Sequence, residues 1–361
     1  MRSWALLAAF ATTVAPLGMA QEVTVQQLQQ FLARESTARE TDQNISRRLA
    51  SVELNERLSA SRLAHIEAKI SPGPKTREAL NLLADQSAFL EPPSGELPRI
   101  NPPARAKQKS MIDAAKRFVF VTMKQMPNFM ANRDTTSFKD VPVSTRHGTF
   151  QSGLNFTGSS STSVTYRDGH EVPDSSFLAA HMAGTTPLAE LTSIGEFGPL
   201  LAAIMADSAN GSVIWSHWER ISSGLTAVFQ YKVPLEASHY AFDFCCVWDP
   251  GTKRLLSYHG TRAYHGQLWI DPATGAVMRV TVESKPATSG GFLHFALMVD
   301  YGKVNIGGKL SICPLHSVYI STVRTSADGK YWEYRFLNEV RFTRYRRFGS
   351  TVRILSAMPP K

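Results

Sequence analysis

The chain has 361 residues, of which 43% are hydrophobic, 10% aromatic and 19% charged, and its formal net charge is +9. This composition is ordinary for a globular protein and supplies enough aromatic residues for a core. The positive charge favours an acidic partner, such as a membrane surface, an anionic glycan or an acidic protein. No nucleic-acid-binding signature is present, so we expect no nucleic acid partner.

Residues 1–20 have the pattern of a cleavable secretory signal peptide. Arg2 supplies a positive charge, and Trp4–Val14 is an apolar run too short to span a bilayer. Gly18 and Ala20 then place small residues at the −3 and −1 positions before Gln21. No later run reaches the ~20 apolar residues that a membrane span needs. We therefore expect a periplasmic or secreted protein that is not membrane-spanning.

Residues 21–90 are predicted to form an amphipathic helical extension. Apolar residues recur there at spacings near three, four and seven, at Ile45, Leu49, Val52, Leu58, Leu63, Ile66 and Ile70. The Pro-Gly-Pro sequence at 72–74 breaks this pattern, and a second helix follows from about Thr76 to Leu90. These apolar stripes must pack on the main domain or on a partner. The proline-rich residues 91–104 are predicted to be a linker.

Residues 105–361 are predicted to form one antiparallel domain. Two helices, at 105–124 and 187–206, accompany about ten or more strands joined by short turns. Residues 157–163, rich in Gly, Ser and Thr, are predicted to be a loop. The fold class is therefore α+β, with a curved antiparallel sheet (an open half-barrel) that covers two apolar helices and follows a helical N-terminal extension.

Large apolar side chains share one face on two of the predicted strands, because alternate residues of a strand point the same way. The helix at 187–206 adds an apolar stripe that belongs against such a face. This surface either packs as core or lines a cavity for an apolar ligand, and both can hold together. We select six of its side chains as candidate ligand contacts: Phe242, Phe244, Trp248, Phe295, Leu297 and Leu201.

Two short stretches carry a resemblance to a known family. The Asp-Pro-x-Thr-Gly turn within the hairpin Trp269–Arg279, and the later Val299-Asp300-Tyr301, resemble the periplasmic lipoprotein-carrier proteins of the LolA and RseB kind. This resemblance implies an open half-barrel over helices, with an apolar cavity between them. The segments Asn128–Arg133 and Ser193–Leu201 also resemble a family of uncharacterised secreted bacterial proteins, which implies no particular activity.

Motifs of catalysis are missing from the sequence. It has no Gly-x-Ser-x-Gly elbow, no His-Glu-x-x-His helix and no phosphate-binding glycine loop. Ten histidines are scattered without metal-ligand spacing, so we predict neither a metal site nor a cofactor. A Ser–His–Asp arrangement assembled by the fold stays open, but no sequence feature indicates one. We expect the protein not to be an enzyme.

Four arginines near the C-terminus are candidate contacts for an anionic partner: Arg341, Arg344, Arg346 and Arg347. Guanidinium groups bind lipid headgroups, acidic glycans and carboxylates. The alternative is an edge strand that charge protects against mispairing.

Three cysteines occur, of which Cys246 and Cys313 are a candidate disulfide in an oxidising compartment. The equally weighted alternative is that all three are buried small apolar residues.

Two functions follow from these patterns. The first is an exported, non-catalytic binding or carrier protein for an apolar ligand, such as an acyl chain or a lipidated partner. The second is an envelope protein-interaction module that docks through its helical extension and its basic C-terminal strands. A hydrolase ranks third, because no nucleophile with a nearby base is evident.

Overall fold

The computed structural model describes residues 21–145, 148–172, 195–284, 292–327 and 330–348. Within these ranges the chain is α+β, with six α-helices and an antiparallel sheet of ten strands that is not closed. The expected α+β class and the large antiparallel sheet are confirmed. Across the same ranges, no helix combines the length and apolarity that a membrane crossing requires. The signal peptide expected at 1–20 lies outside the described residues.

The helices of the N-terminal extension begin where side chains cap them. The Thr24 hydroxyl accepts a hydrogen bond from the backbone N–H of Gln27, and the Gln27 side chain accepts one from the Thr24 N–H. Thr41 and Ser59 cap the next two helices, and Pro74 occupies the first turn of the fourth. The four helices are α1 (Val25–Thr37), α2 (Asp42–Leu49), α3 (Ala60–Ile70) and α4 (Pro74–Gln86).

The apolar stripes of these helices pack mainly on one another. They form a cluster of buried side chains: Val23, Val25, Leu28, Leu32, Leu49, Leu58, Ile66, Leu80 and Leu83. A short parallel ladder joins β1 (Gln21–Val23) to β2 (Val52–Leu54), a pairing that the helical pattern does not predict. The extension therefore has a small core of its own.

The main domain contains α5 (Arg105–Arg117), α6 (Pro199–Asp207) and twelve strands within the described ranges. Helix α5 continues into a π-helical turn at Phe118–Thr122. The part of the expected helix at 187–194 lies outside the described residues. The strands are β3 (Phe129–Thr145), β4 (Gly148–Arg167), β5 (His170–Val172), β6 (Ser212–Ile221), β7 (Gly224–Val233), β8 (Ala241–Asp249), β9 (Arg254–Thr261), β10 (Tyr264–Ile270), β11 (Val277–Ser284), β12 (Phe292–Ile306), β13 (Lys309–Ala327) and β14 (Lys330–Arg347).

The large sheet has the order β5-β4-β3-β14-β13-β12-β11-β10-β7-β6, and among the described strands β8 pairs only with β9. Strands β10 to β14 pair in chain order, as expected for consecutive antiparallel strands. The loop predicted at 157–163 is wrong, because these residues belong to β4 and pair with β3. Backbone hydrogen bonds need no particular side chain, so a run of Gly, Ser and Thr can join a ladder that a long neighbouring strand offers.

The two faces of the sheet pack against different parts of the chain. We call the face that contacts α5 and α6 the inner face, and Leu297, Val280 and Val340 are buried there. The outer face lies under the helical extension, where Met298, Val318 and other side chains of the sheet form a separate cluster with Ala88, which follows α4.

The turn between β10 and β11 holds the hairpin against α5. Asp271 accepts hydrogen bonds from the N–H of Ala273 and from the hydroxyl of Thr274, and Gly275 follows with φ of +77°. A Cβ on Gly275 would lie 2.6 Å from the carbonyl carbon of Ala114 in α5. Only glycine meets both the left-handed backbone and the close approach.

Gly275→Ala is therefore expected to lower the free energy of unfolding by about 2–3 kcal/mol, from backbone strain and a backbone clash together. Gly308→Ala is the matched control, since Gly308 also has positive φ but has open space around its Cβ position. Urea denaturation of both variants separates the two contributions. Equal losses in the two variants would show that the contact with α5 adds nothing.

Candidate functional site

Four of the six candidate ligand contacts lie together on the inner face. Phe242, Phe295, Leu297 and Leu201 belong to one hydrophobic cluster, in which Leu297 and Leu201 have no solvent exposure. The side chain of Phe244 lies outside the described residues, and Trp248 is half exposed. The structure thus joins side chains from β8, β12 and α6 into one apolar layer, and ligand binding there stays a prediction.

Aromatic rings link the β8–β9 hairpin to the large sheet. Phe242 meets Phe295 edge-to-face with 4.6 Å between ring centroids, and Phe295 meets Tyr319 at 5.3 Å. Tyr240 extends this set on the other side of Phe242, at 4.8 Å. Tyr240 and Phe295 are only partly buried although they pack on the core, so the aromatic layer reaches the surface at this hairpin.

Three hydroxyl side chains run along the inner face of β13. Ser317, Ser321 and Thr325 lie four residues apart, which places them on one face of the strand. Their hydroxyl oxygens are buried and have no hydrogen-bond partner among the described residues. A buried hydroxyl without a partner costs about 1–3 kcal/mol, so each of these groups calls for a water or a ligand atom.

A row of side chains crosses the inner face and has a lysine at one end. The strand register places Phe295, Ser321, Phe336 and Lys139 side by side on β12, β13, β14 and β3. The Lys139 ammonium lies 4.7 Å from the ring centroid of Tyr334 and 5.2 Å from that of Phe336. Burial lowers the pKa of Lys139. The row therefore runs from aromatic rings, past a hydroxyl, to a positive charge.

The inner face also buries a charged cluster of one arginine and two glutamates. Arg133 Nη2 lies 3.0 Å from a carboxylate oxygen of Glu171 and 3.0 Å from one of Glu196. The guanidinium also stacks over Phe342, with 5.5 Å to the ring centroid. Burial raises the pKa of Glu171 to about 7, even though Arg133 acts in the opposite direction. Because one cation faces two buried carboxylates, one of these carboxyls favours its protonated form.

A row of polar side chains crosses the outer face. The strand register aligns residues on seven neighbouring strands, from β10 to β4: Trp269, Arg279, Asp300, His316, Arg341, Asp134 and Ser161. We call this set the polar row. It lies beside the apolar cluster beneath α4, so the helical extension covers part of it.

Arg279 and Asp300 are the strongest pair of the polar row. Nε and Nη2 of Arg279 donate to the two oxygens of Asp300, at 2.5 and 2.8 Å, and the guanidinium stacks on Trp269. His316 lies on the other side of Asp300, with 3.8 Å between Nδ1 and Oδ2. Burial alone raises the pKa of Asp300, but Arg279 and His316 outweigh it and hold this pKa below its usual value.

Charged residues of the helical extension also contact the sheet. Arg57 Nη2 donates to Glu219 Oε2 at 2.6 Å, and both side chains are nearly inaccessible to solvent. Asp85, in α4, places Oδ1 at 3.4 Å from Nε2 of His316. Burial raises the pKa of the Asp85 carboxyl to about 7. Glu53 of β2 adds a more exposed ion pair with Arg335 of β14, at 3.0 Å, so charged contacts join the extension to the sheet at these three points.

Ser216, His217 and Glu219 form a chain of hydrogen bonds on β6. The Ser216 hydroxyl lies 2.9 Å from His217 Nδ1, and His217 Nε2 lies 3.2 Å from Glu219 Oε2. This is the order of groups in an activated nucleophile. The same Glu219 oxygen, however, also accepts hydrogen bonds from Arg57 and from Trp269 Nε1. Because three donors share that oxygen, a structural role is favoured for these residues.

The candidate anionic-partner residues are all exposed. Arg344, Arg346 and Arg347 lie at the end of β14, and the Arg341 side chain is 56% exposed although it forms an ion pair with Glu339. A register shift between Thr343 and Arg346 interrupts the alternation on which their predicted faces were based.

Cys313 is a free, buried thiol in this structure, with Sγ 3.8 Å from the sulfur of Met126. Burial raises its pKa to about 12. This describes Cys313 as a small apolar residue of the core. The side chain of Cys246 lies outside the described residues, and its pairing with Cys313 stays a prediction.

The sequence analysis did not select most of the charged residues that meet at the outer face. Arg57, Asp85, Glu219, His316 and Glu339 were not selected, because each is an ordinary charged residue in its local context. A signal did exist, since Arg279 and Asp300 interrupt two strongly apolar strands. The motif Trp269–Arg279 and the Asp300 beside Tyr301 supply three members of the polar row, although they were chosen for a resemblance.

Comparison with known proteins adds little. No family model matches the chain, and no curated protein matches it. Among solved structures, the chain is similar to "Crystal structure of MucB in complex with MucA(peri)", with 8% sequence identity and a TM-score of 0.22. The match covers 64% of this chain and 93% of that one. The likeness is weak and at the level of fold alone, and the resemblance to lipoprotein carriers stays a prediction.

Proposed function

We propose that this protein is an exported, non-catalytic binding protein that holds an apolar or amphipathic ligand, such as an acyl chain, on the inner face of its sheet. One observation carries the proposal. The buried hydroxyls of Ser317, Ser321 and Thr325 find no partner within the described ranges, beside aromatic rings that are partly open to solvent. A ligand that displaced the partly exposed rings would bring a polar group to these hydroxyls, and each hydroxyl could then form the hydrogen bond that it lacks.

The charge of Lys139, at the end of the row of side chains across the inner face, indicates which kind of apolar ligand fits. Lys139 lies in register with Ser321, two strands away, and its ammonium lies over the rings of Tyr334 and Phe336. An ammonium beside an apolar layer suits a chain with an anionic group at one end. A fatty acid or an acyl chain with a phosphate group has that form. Export rests on the signal peptide pattern of residues 1–20.

A second function, docking on an acidic envelope protein, is favoured by the exposed guanidinium groups of Arg344, Arg346 and Arg347. The helical extension contributes less to this function than the sequence indicates. Its apolar stripes are largely used within its own core, so only its polar surface is left for a partner.

Ser321→Leu tests the proposed binding site. The larger side chain removes the hydroxyl and presses on Phe295 and Phe336, its neighbours in register, so affinity for a fluorescent fatty acid should fall at least about tenfold, the equivalent of 1.4 kcal/mol. Native mass spectrometry of the wild-type protein purified from the periplasm should show a bound small molecule that organic extraction removes. The Ser321→Leu protein should lack it.

Thr322→Leu is the matched control, because Thr322 is the next residue on β13 and points to the outer face. It should keep both the bound molecule and the affinity. A wild-type protein that neither carries a ligand nor binds the fluorescent fatty acid would refute the proposal. So would equal binding by the two leucine variants.

A further inference from the structure

Three metal-ligating side chains from distant parts of the chain meet on the outer face. They are Asp85 of α4, His316 of β13 and Glu339 of β14. His316 Nε2 lies 3.4 Å from Asp85 Oδ1 and 3.7 Å from Glu339 Oε1, and the three ligand atoms all lie within 4.8 Å of one another. A tetrahedral ion with bonds of about 2.1 Å separates its ligand atoms by roughly 3.4 Å. Two of the three spacings are therefore close to those around a bound transition metal.

Two of these ligand atoms are buried without a hydrogen bond. His316 Nε2 and Glu339 Oε1 are inaccessible to solvent and have no hydrogen-bond partner in the part of the chain that the structure describes. Asp85 beside them is 7% exposed. Buried polar atoms of native proteins nearly always have a partner, and His316 Nε2 lies within 4 Å of both carboxylates. A cation between them would satisfy all three.

The surroundings of His316 are those of a metal-ligating histidine. Such histidines commonly present the second ring nitrogen to a carboxylate, which fixes the orientation of the ring and makes the first nitrogen a better ligand. Here Nδ1 of His316 faces Asp300 at 3.8 Å, and Arg279 holds Asp300 through two hydrogen bonds. The polar row therefore supplies the supporting carboxylate, already locked in position.

One cation is already close to the cluster. The Arg341 guanidinium forms an ion pair with Glu339 Oε1 but does not meet the geometry of a hydrogen bond to it. Its side chain is 56% exposed, so it can turn into solvent when a metal binds.

We propose that Asp85, His316 and Glu339 bind one Zn²⁺ ion, with a fourth position open to water. One imidazole nitrogen and two carboxylate oxygens suit Zn²⁺, whereas Ca²⁺ and Mg²⁺ prefer oxygen ligands alone. Since Asp85 belongs to the helical extension and the other two ligands to the sheet, the ion joins these two parts of the protein. This proposal is independent of the ligand on the inner face.

The test is metal binding by the full-length protein after dialysis against a chelator. We expect equilibrium dialysis to give one Zn²⁺ per chain, the midpoint of thermal unfolding to rise with Zn²⁺, and Co²⁺ to give visible d–d absorption bands. Asp300→Asn should weaken Zn²⁺ binding about 10- to 100-fold, as loss of a supporting carboxylate does. His316→Gln and Glu339→Gln should weaken it further and remove the Co²⁺ bands.

His294→Gln is the matched control, because His294 also lies on the outer face, with Nε2 3.6 Å from Glu283 Oε2. It should bind Zn²⁺ as the wild-type protein does. Circular dichroism of each variant before metal addition establishes that it is folded, and the Co²⁺ spectrum of the wild-type protein needs no variant. Absence of binding by the wild-type protein, retention of binding by folded His316→Gln, or an equal loss in His294→Gln would each overturn the proposal.

Discussion

Arg57→Met is expected to lower the free energy of unfolding by about 3–5 kcal/mol, the cost of leaving one member of a buried ion pair without its partner. Arg57 is 2% exposed, and its guanidinium both donates to Glu219 and stacks over Trp269, 5.3 Å from the ring centroid. Methionine keeps much of the volume but not the charge. Urea denaturation monitored by tryptophan fluorescence measures the loss.

Arg48→Met is the control for this prediction. Arg48 forms an ion pair with Glu35 at 2.7 Å, but its side chain is 55% exposed, so its loss should cost no more than about 0.5 kcal/mol. A double-mutant cycle with Glu219→Gln should show that the loss in Arg57→Met depends on the carboxylate. A loss in Arg57→Met as small as that in Arg48→Met would show that Glu219 does not need this partner.

The Glu219 carboxylate also predicts a dependence on pH. Burial by itself would raise its pKa, but hydrogen bonds from His217, Arg57 and Trp269 lower it to about 2 from a usual value of 4.5. A lowered pKa in the folded state stabilises the protein at pH above the unfolded value. That stabilisation should disappear as the pH falls from 4.5 towards 2, and Glu219→Gln should not show this part of the pH dependence.

Arg133→Met should have the second large effect, and one that depends strongly on pH. In the wild-type protein the Arg133 guanidinium lies between Glu171 and Glu196, all three nearly inaccessible to solvent. Without the cation, two neighbouring carboxylates lose their common counterion. We expect a loss of about 3–5 kcal/mol at about pH 8, where ionised carboxylates are favoured in the unfolded chain.

The direction of the pH effect follows from the pKa of Glu171. Its folded value of about 7 lies above the usual 4.5, so the folded state binds more protons, and stability falls as the pH rises from 4.5 through 7. Arg133→Met should steepen this fall and recover much of its loss at about pH 5, because protonated carboxyls tolerate burial. Glu171→Gln should remove most of this dependence of stability on pH. A loss in Arg133→Met that is the same at both pH values would show that the carboxylates are not its cause.

The strands from β10 to β14 were predictable because two independent signals coincide there. Apolar residues alternate in Leu293–Tyr301, and the structure buries Leu297 and Val299 on the inner face with Asp300 on the outer face, as alternation requires. The turn chemistry of Asp271 marks where the hairpin reverses. The two-residue alternation and the turn residues agree, so the local sequence is sufficient to predict these strands.

The rest of the sheet order has no local signal. Strand β3 pairs with β14, about two hundred residues later, and β7 pairs with β10 across the β8–β9 hairpin. Such pairings depend on which partner edges remain once the local hairpins have formed, and a single sequence does not encode that in any short window. The pairing of β1 with β2 was not predictable for the same reason, since each strand has three residues and lies beside helices.

The candidate site divides along the same line. The apolar inner face was predictable from strand alternation, and Phe242, Phe295, Leu297 and Leu201 do share one cluster. The candidate metal site on the outer face was not predictable from the sequence. Asp85, His316 and Glu339 become neighbours only when a helix packs across β13 and β14. A lone histidine and two ordinary carboxylates have no spacing that would mark them as ligands.

The polar row also determines how the strands align. Side chains alternate between faces, so a slip of β12 by one residue would turn Asp300 to the apolar inner face and bring Val299 or Tyr301 between Arg279 and His316. Such an arrangement buries a carboxylate without a partner and leaves Arg279 without its anion. A shifted register is therefore less stable, because it leaves a charge without its partner on both β11 and β12. The polar row therefore makes one strand alignment, from Trp269 to Asp134, more stable than its neighbours in register.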